Sequence, residues 1–309
     1  MTAVLVTVFA GLLLAGGPRL ARARWVVRAP GLALLVWQMT CVAVVVSAGV
    51  AGLTSVLHWD DTHDLMCTAW RLCLDALYGD HGRAAQAVAV AGAAVLAVTG
   101  GRLLDAVWRV QRADRAHGRR VREVIRSVGT REPGLGATVL PSPEAAAYLV
   151  PGGHRDVVVT SAALRRLSPD ELRAVMAHEH AHASGRHYRL LRIARMLHRA
   201  FPRVPLFRLA EDQAHRLVEL HADDVAVRSA APLSLARALV TMAESRAAQA
   251  GGHSSLALSG GDAAERLQRL LCPPAPLPGP AARGAAAVAA LLPLVPVLVA
   301  VADRNITLI

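Results

Sequence analysis

The chain has no lysine: all 34 of its basic residues are arginine, and with 23 acidic residues they leave a formal net charge of +11. A charge of that sign and size would suit a nucleic-acid binder. However, arginine used alone beside abundant alanine is the amino-acid bias of a GC-rich genome. The arginines also gather where a membrane topology needs them, so direct nucleic-acid contact is not expected. Aromatic residues are scarce at 4%, although 54% of the chain is hydrophobic, an unusual balance for a water-soluble protein of 309 residues. The four cysteines do not make a disulfide framework. Cys67 and Cys73 share one loop and either pair or remain thiols, while Cys41 and Cys272 lie far from them. Internal repeats, a phosphate-binding glycine loop and a serine-nucleophile elbow are all missing.

What the chain does have is long apolar runs. Residues 1–17, 32–56, 84–101 and 284–302 each approach or exceed the roughly 17–25 residues that cross a bilayer. The first run carries no charge ahead of it, and Arg19, Arg22, Arg24 and Arg28 follow it. That order predicts an uncleaved span with its N-terminus outside. The positive-inside rule then places the Arg19–Arg28 loop in the cytoplasm. The acidic loop 57–83, with Asp60, Asp61, Asp64, Asp75 and Asp80, falls outside. The arginines that follow the third run, from Arg102 to Arg122, put the central region back in the cytoplasm, and the tail after the fourth run is exterior. His58 and His63 in the acidic loop invite thought of a second metal, but a plain solvated loop is the simpler reading.

The central region carries the chemistry. His178-Glu179-His180-Ala181-His182 fits the pattern H-E-x-x-H. Residues four apart share a helical face, so His178 and His182 can reach one ion. Glu179, about 100° further round the helix, can address a water on that ion as general base. Ser168-Pro169-Asp170-Glu171 reads as a capping box with proline at the first helical position, starting the helix that bears the motif. A second helical stretch contains Glu219 and Asp223. Glu219 completes a His-His-Glu zinc site with an open fourth position, and Asp223, one turn on, can accept the spare N–H of a ligating histidine, His178 first. One zinc ion per chain is expected. His215, one turn before Glu219, is a candidate donor to the transition-state oxyanion.

Other residues compete for these roles. His180 points away from the ligand pair. His221 is the rival third ligand, although it leaves Asp223's face. Gly185 fits the longer pattern H-E-x-x-H-x-x-G-x-x-H, but Tyr188 holds its third-histidine place and His187 comes one residue early. Between His187 and Phe201 the arginines at 189, 192, 195 and 199 oppose Leu190, Ile193, Ala194, Leu197 and Phe201. That pattern fits a basic amphipathic helix on a membrane surface, or a solvated helix whose arginines snorkel. Short strands are predicted at 138–140, 146–150 and 156–160, the last being Asp-Val-Val-Val-Thr.

HEHAHASGRHY, VELHADDVA and ERLQRLL together resemble the membrane zinc metallopeptidases of the BlaR/MecR sensor-transducer type, relatives of the HtpX and CAAX prenyl-protease group. The resemblance covers roughly residues 137–271. It implies a zinc-dependent endopeptidase of the gluzincin kind, mostly α with a small sheet whose edge strand pairs with the substrate. In this reading the protein is an α-helical membrane protein of about four spans with that domain in the cytoplasm. Residues 1–108 form the membrane part, 109–136 a basic linker, 137–271 the peptidase, 272–283 a proline-rich linker and 284–302 the last span. Arg266 and Arg269 match basic positions of the family's tail motif, yet surface arginines are the simpler expectation. The implied partners are the lipid bilayer and a protein substrate, either a transcriptional repressor or the chain itself. Clearance of damaged membrane proteins, as HtpX-like enzymes perform, is the alternative, and a non-enzymatic scaffold a remoter one. With the sequence ending soon after the fourth run, the penicillin-binding sensor of the antibiotic receptors is not expected.

Overall fold

The computed structural model describes residues 2–57, 83–150, 156–249 and 261–307. The expectations for the acidic loop, including the Cys67–Cys73 pair, lie outside the described residues.

Helices α1 (Thr2–Ala21), α2 (Pro30–Leu57) and α3 (Arg83–Val128) come first. At the other end of the chain stand α10 (Gly279–Leu291), a 3-10 turn (Leu292–Leu294) and α11 (Val295–Thr307). Among the described residues, four stretches are long and apolar enough to cross a membrane: Thr2–Ala21, Pro30–Val56, Gln86–Val128 and Gly279–Asp303. The fourth is broken at Pro293 and Pro296, where proline removes a backbone donor and crowds the preceding turn. Val4, Leu12, Val98 and Leu298 on these helices are all more than half exposed, part of a wide apolar belt. Helix α2 is the hub, packing against α1, α3, α10, α11 and the central region. Residues 109–128 of the segment expected as a basic linker continue α3 without a break, since that Arg- and Val-rich stretch contains no proline and one glycine, Gly118; Gly129 and Pro133 follow.

A four-stranded sheet of order β1-β2-β4-β3 follows, made of β1 (Thr130–Glu132), β2 (Ala137–Leu140), β3 (Ala147–Leu149) and β4 (Val157–Thr160). β2 and β4 run parallel, and the two outer pairings are antiparallel. β4 lies inside, with Val157, Val158 and Val159 all fully buried, as its unbroken β-branched run requires. β1 was not foreseen: it is short and exposed, and Thr-Arg-Glu carries no apolar alternation.

Helices α4 (Ser161–Arg166), α5 (Pro169–Ser184), α6 (His187–Ala200), α7 (Pro205–Ala226), α8 (Pro232–Gln249) and α9 (Gly261–Leu271) complete the central region. Trp37 and Leu34 of α2 share one core with Leu197 of α6 and with Phe207, Leu217 and Leu220 of α7. A second core joins the sheet to Val175 of α5 and Ala238 of α8. The helix carrying Glu219 is thus bedded directly on the apolar hub. α6 does not offer a lipid-facing surface: Leu197 and Ala194 are buried in the first core, and Leu190, Ile193 and Phe201 pack against it. Arg195 turns to Asp114 of α3 at 3.4 Å. The apolar stripe is used inside the protein.

Candidate active site

Helix α5 starts as its sequence predicts. The Ser168 hydroxyl accepts from the Glu171 N–H at 3.3 Å, and the Glu171 carboxylate accepts from the Ser168 N–H at 2.8 Å. Two turns on, the helix presents His178 and His182 toward Glu219 of α7. The two Nε2 atoms are 3.0 Å apart, and each lies 3.5 Å from a Glu219 oxygen. Donors about 2 Å from a tetrahedral zinc are about 3.3 Å from one another. Three such donor atoms, all within 4.8 Å of each other, fit that ion in number, chemistry and spacing.

Asp223 is buried at 2% exposure, with Oδ1 2.9 Å from His178 Nδ1, a close approach that is not aligned as a full hydrogen bond. An acceptor on that side keeps the proton on Nδ1 and leaves Nε2 free to bind a metal. Asp223 is itself held by Arg266 of α9, whose Nε and Nη2 donate to its two oxygens at 2.8 Å each. Nη1 of the same guanidinium reaches Glu219 at 2.8 Å. Arg269, one turn further on, donates to Asp224 at 2.8 Å, to Leu220 O at 3.2 Å and to Val27 O, in the α1–α2 loop, at 2.9 Å. Neither arginine is a surface group, their side chains being only 14% and 12% exposed. This is a correction to the sequence reading. Some forty residues separate the partners, and helical periodicity carries no information at that range.

His182 is fixed by a device the sequence did not reveal. Its Nδ1 lies 2.9 Å from Nδ1 of His187, and Nε2 of His187 lies 2.9 Å from Nδ1 of His221. If His182 binds a metal through Nε2, its Nδ1–H donates to His187, and His187 in turn donates to His221, so the chain fixes every tautomer. His187 is 1% exposed, and burial with the neighbouring imidazoles pushes its pKa down to about 3. Gly185 makes room for this ring, since a Cβ there would come within 2.4 Å of His187 Nε2. The clue in the sequence was the histidine five residues after His182, directly past a helix-ending glycine. His221 thus meets His187, while the group of donors that could hold a metal is His178, His182 and Glu219. His180 is exposed, with its Nδ1 2.7 Å from Met176 O, away from the site as expected. His215 is exposed and does not line the cleft, so the structure gives no support to its expected part as oxyanion donor.

The site opens on a cleft of about 1030 Å³. One wall is β3, the edge strand of the sheet; Leu235, Leu239 and Met242 of α8 form another. Val150 N–H donates to Asp156 O and Ala146 O accepts from Thr160 N–H, each at 2.9 Å, on the β4 side. By alternation, Ala147 and Leu149 turn their main-chain groups toward the cleft. Glu179 lines the cleft, and burial pushes its carboxyl up to about 7, with His178 and the Leu149 N–H opposing the rise. Burial also disfavours charge on His178, but Asp223 and Glu219 outweigh it and raise the pKa to about 9. Burial would raise Glu219 as well, yet His178 and Arg266 bring it down to about 2. His182, dominated by burial, falls to about 4.

Residues 111–209 match the model of peptidase family M48. The chain is a metallopeptidase, a peptide hydrolase. The match contains His178, Glu179 and His182 and ends before Glu219, so the spatial arrangement alone joins α7 and α9 to the metallopeptidase site. It supports the resemblance at the level of a metallopeptidase of the HtpX/BlaR type. No curated protein and no solved structure matches the chain.

The pKa values of the three candidate metal donors predict a proton count. At pH 8 the metal-free site holds a protonated His178 (about 9), a neutral His182 (about 4) and an ionised Glu219 (about 2). Metal binding must displace the His178 proton. Calorimetry of zinc binding in buffers of different ionisation enthalpy is expected to show close to one proton released at pH 8. Affinity should fall about tenfold per unit as pH drops below 9. Release of no proton would mean that His178 is already neutral and that Asp223 does not govern it.

Proposed function

We propose that the chain is an integral-membrane, zinc-dependent endopeptidase. Its site faces the cytoplasm, and it cleaves a cytoplasmic repressor or itself in response to a signal. The observation that carries this reading is the placement of three possible metal donors at tetrahedral spacing beside a half-buried carboxylate and an edge strand of the described sheet. His178, His182 and Glu219 would hold zinc, which when bound supplies a Lewis acid to the substrate carbonyl and makes water a nucleophile near neutral pH. Glu179 takes the proton of the attacking water and passes it to the departing amine nitrogen. Main-chain groups of Ala147 and Leu149 pair with the extended substrate and hold its scissile bond beside Glu179. Asp223 and His187 keep the two imidazoles in the ligating tautomer. No covalent acyl intermediate is involved, because water attacks directly.

The membrane reading rests on the four long apolar helices, their exposed apolar belt and the charge of the connecting loops. Trp108 is 59% exposed, with the Arg112 guanidinium 5.3 Å over its ring, the pairing expected where α3 leaves a bilayer for the cytoplasm. A transducing role is supported by the ties between the span-connecting loop and the site. Arg269 joins Val27 to α9, while Arg28 donates to Ala275 O at 2.8 Å and Pro276 O at 3.2 Å. The same α9 supplies Arg266 to Asp223 and Glu219, so a movement of the spans reaches the ligands through one short helix.

The test uses the full chain in membranes. It should stay in the pellet after an alkaline wash and cleave itself or a co-expressed cytoplasmic protein. A chelator should stop the cleavage and zinc restore it. Release by the wash would remove the membrane assignment, and cleavage indifferent to chelation would remove the zinc mechanism. Comparison of new protein N-termini with and without the enzyme separates one dedicated substrate from the broad set that quality control would give.

A further inference from the structure

Among the described residues, Arg186 is the sole non-glycine with a positive φ, at 52° with ψ 34°. The left-handed region is unfavourable for an L-residue, and glycine would relieve it at no steric cost. The tight turn from α5 into α6 needs the backbone conformation, because His187 follows at once, but it does not need an arginine. Backbone strain of this kind clusters at active sites and ligand clamps. The Arg186 side chain is exposed and lines the substrate cleft, and no carboxylate among the described residues pairs with it. Arg189, one turn on, lines the same wall and is also exposed without an acidic partner. Across the cleft Arg246 sits 3.0 Å from Glu144, and Arg266 is committed to Asp223 and Glu219. Among the described residues, the only carboxylates lining the cleft are Glu179 and Glu219, and the proposed function assigns both to the chemistry. Beside its apolar wall of Leu235, Leu239 and Met242, the free charge that the cleft offers a substrate side chain is therefore positive.

We propose that Arg186 and Arg189 form a subsite for a carboxylate, so that the enzyme selects peptides with glutamate or aspartate close to the scissile bond. The proposal rests on the peptidase reading and adds a substrate class to it. Two guanidiniums offer charge-assisted, bidentate donors that fit a carboxylate. A lysine at the same substrate position would meet like charge and be rejected.

The test compares kcat/KM of the zinc-loaded full chain in detergent on matched peptides. The peptides differ only by glutamate, glutamine or lysine, placed in turn at each position flanking the cleaved bond. At one position glutamate should exceed glutamine about tenfold, equivalent to roughly 1.4 kcal/mol, and lysine should fall below glutamine. Added salt should shrink the ratio. Arg186→Gly should bring the glutamate-to-glutamine ratio close to one without lowering Tm, since it relieves the left-handed strain. Arg186→Lys should keep part of the ratio. A ratio near one at every position in the wild type, or one undiminished in Arg186→Gly, overturns the subsite. Cleavage of any of these peptides would still uphold the peptidase reading, whereas failure to cleave any of them would remove both.

Discussion

Glu179→Gln is expected to reduce peptide hydrolysis by roughly 10²–10⁴-fold, the usual contribution of a positioned general base, while leaving the bound zinc at one per chain. The side chain keeps its size, but an amide cannot take a proton from water. Glu179 is not among the three candidate donors, so the metal should stay where His178, His182 and Glu219 would hold it. His182→Ala should behave differently, losing metal and activity together. Stability provides a further check. Burial raises the Glu179 carboxyl to about 7, above its ordinary 4.5. Without metal, the ionised form is therefore disfavoured in the fold, and the loss of stability develops as pH rises from 4.5 to about 7 and is fully present above that. A neutral glutamine removes that penalty, so the metal-free variant should melt at an equal or higher temperature than wild type at pH 8. Catalytic residues commonly show this opposition of activity and stability. Metal content by elemental analysis, activity and melting together check the assignment. Full activity in Glu179→Gln would mean that another group takes the proton.

The parts of the site that were legible from the sequence are the local ones. The capping box at Ser168, the helical spacing of His178 and His182, and the shared face of Glu219 and Asp223 all depend on contacts within a turn or two of helix. The strong strand was legible because Val157–Val159 is an unbroken β-branched run. What stayed hidden depends on distant pairing. Arg266 and Arg269 look like surface residues on α9 because their partners Asp223 and Asp224 belong to another helix. His187 looked like a displaced member of a different metal motif. Its role appears only when the turn at Gly185 and Arg186 folds its ring back between His182 and His221. The stripe on α6 was read correctly as amphipathic, but periodicity cannot say whether an apolar face meets lipid or α2 and α7. α3 illustrates the converse: a change from apolar to basic composition looked like the end of a helix, although arginine is as good a helix former as leucine.

Removing Arg266 is expected to damage the fold and the metal site together, and the two effects can be separated. Asp223 is 3% exposed at the side chain and takes both of its short hydrogen bonds from this guanidinium, which also touches Glu219. Arg266→Met would leave a buried carboxylate without its counter-charge, a defect that costs about 3–5 kcal/mol. Zinc affinity should fall roughly 10–100-fold, as it does when the groups orienting a ligand are lost. Added zinc should recover part of the melting temperature by supplying positive charge beside Glu219. The double variant Asp223→Leu/Arg266→Met removes both charges, and replacing a whole buried pair by apolar side chains is often neutral. It should regain most of the lost stability. It should not regain zinc affinity, because His178 Nδ1 would still lack the carboxylate that faces it at 2.9 Å. Melting in detergent and zinc titration of the two variants give both readouts. Recovery of affinity along with stability in the double variant would show that the pair only braces α7 against α9. Loss of affinity with stability restored would show that Arg266 acts through Asp223 on the ligand.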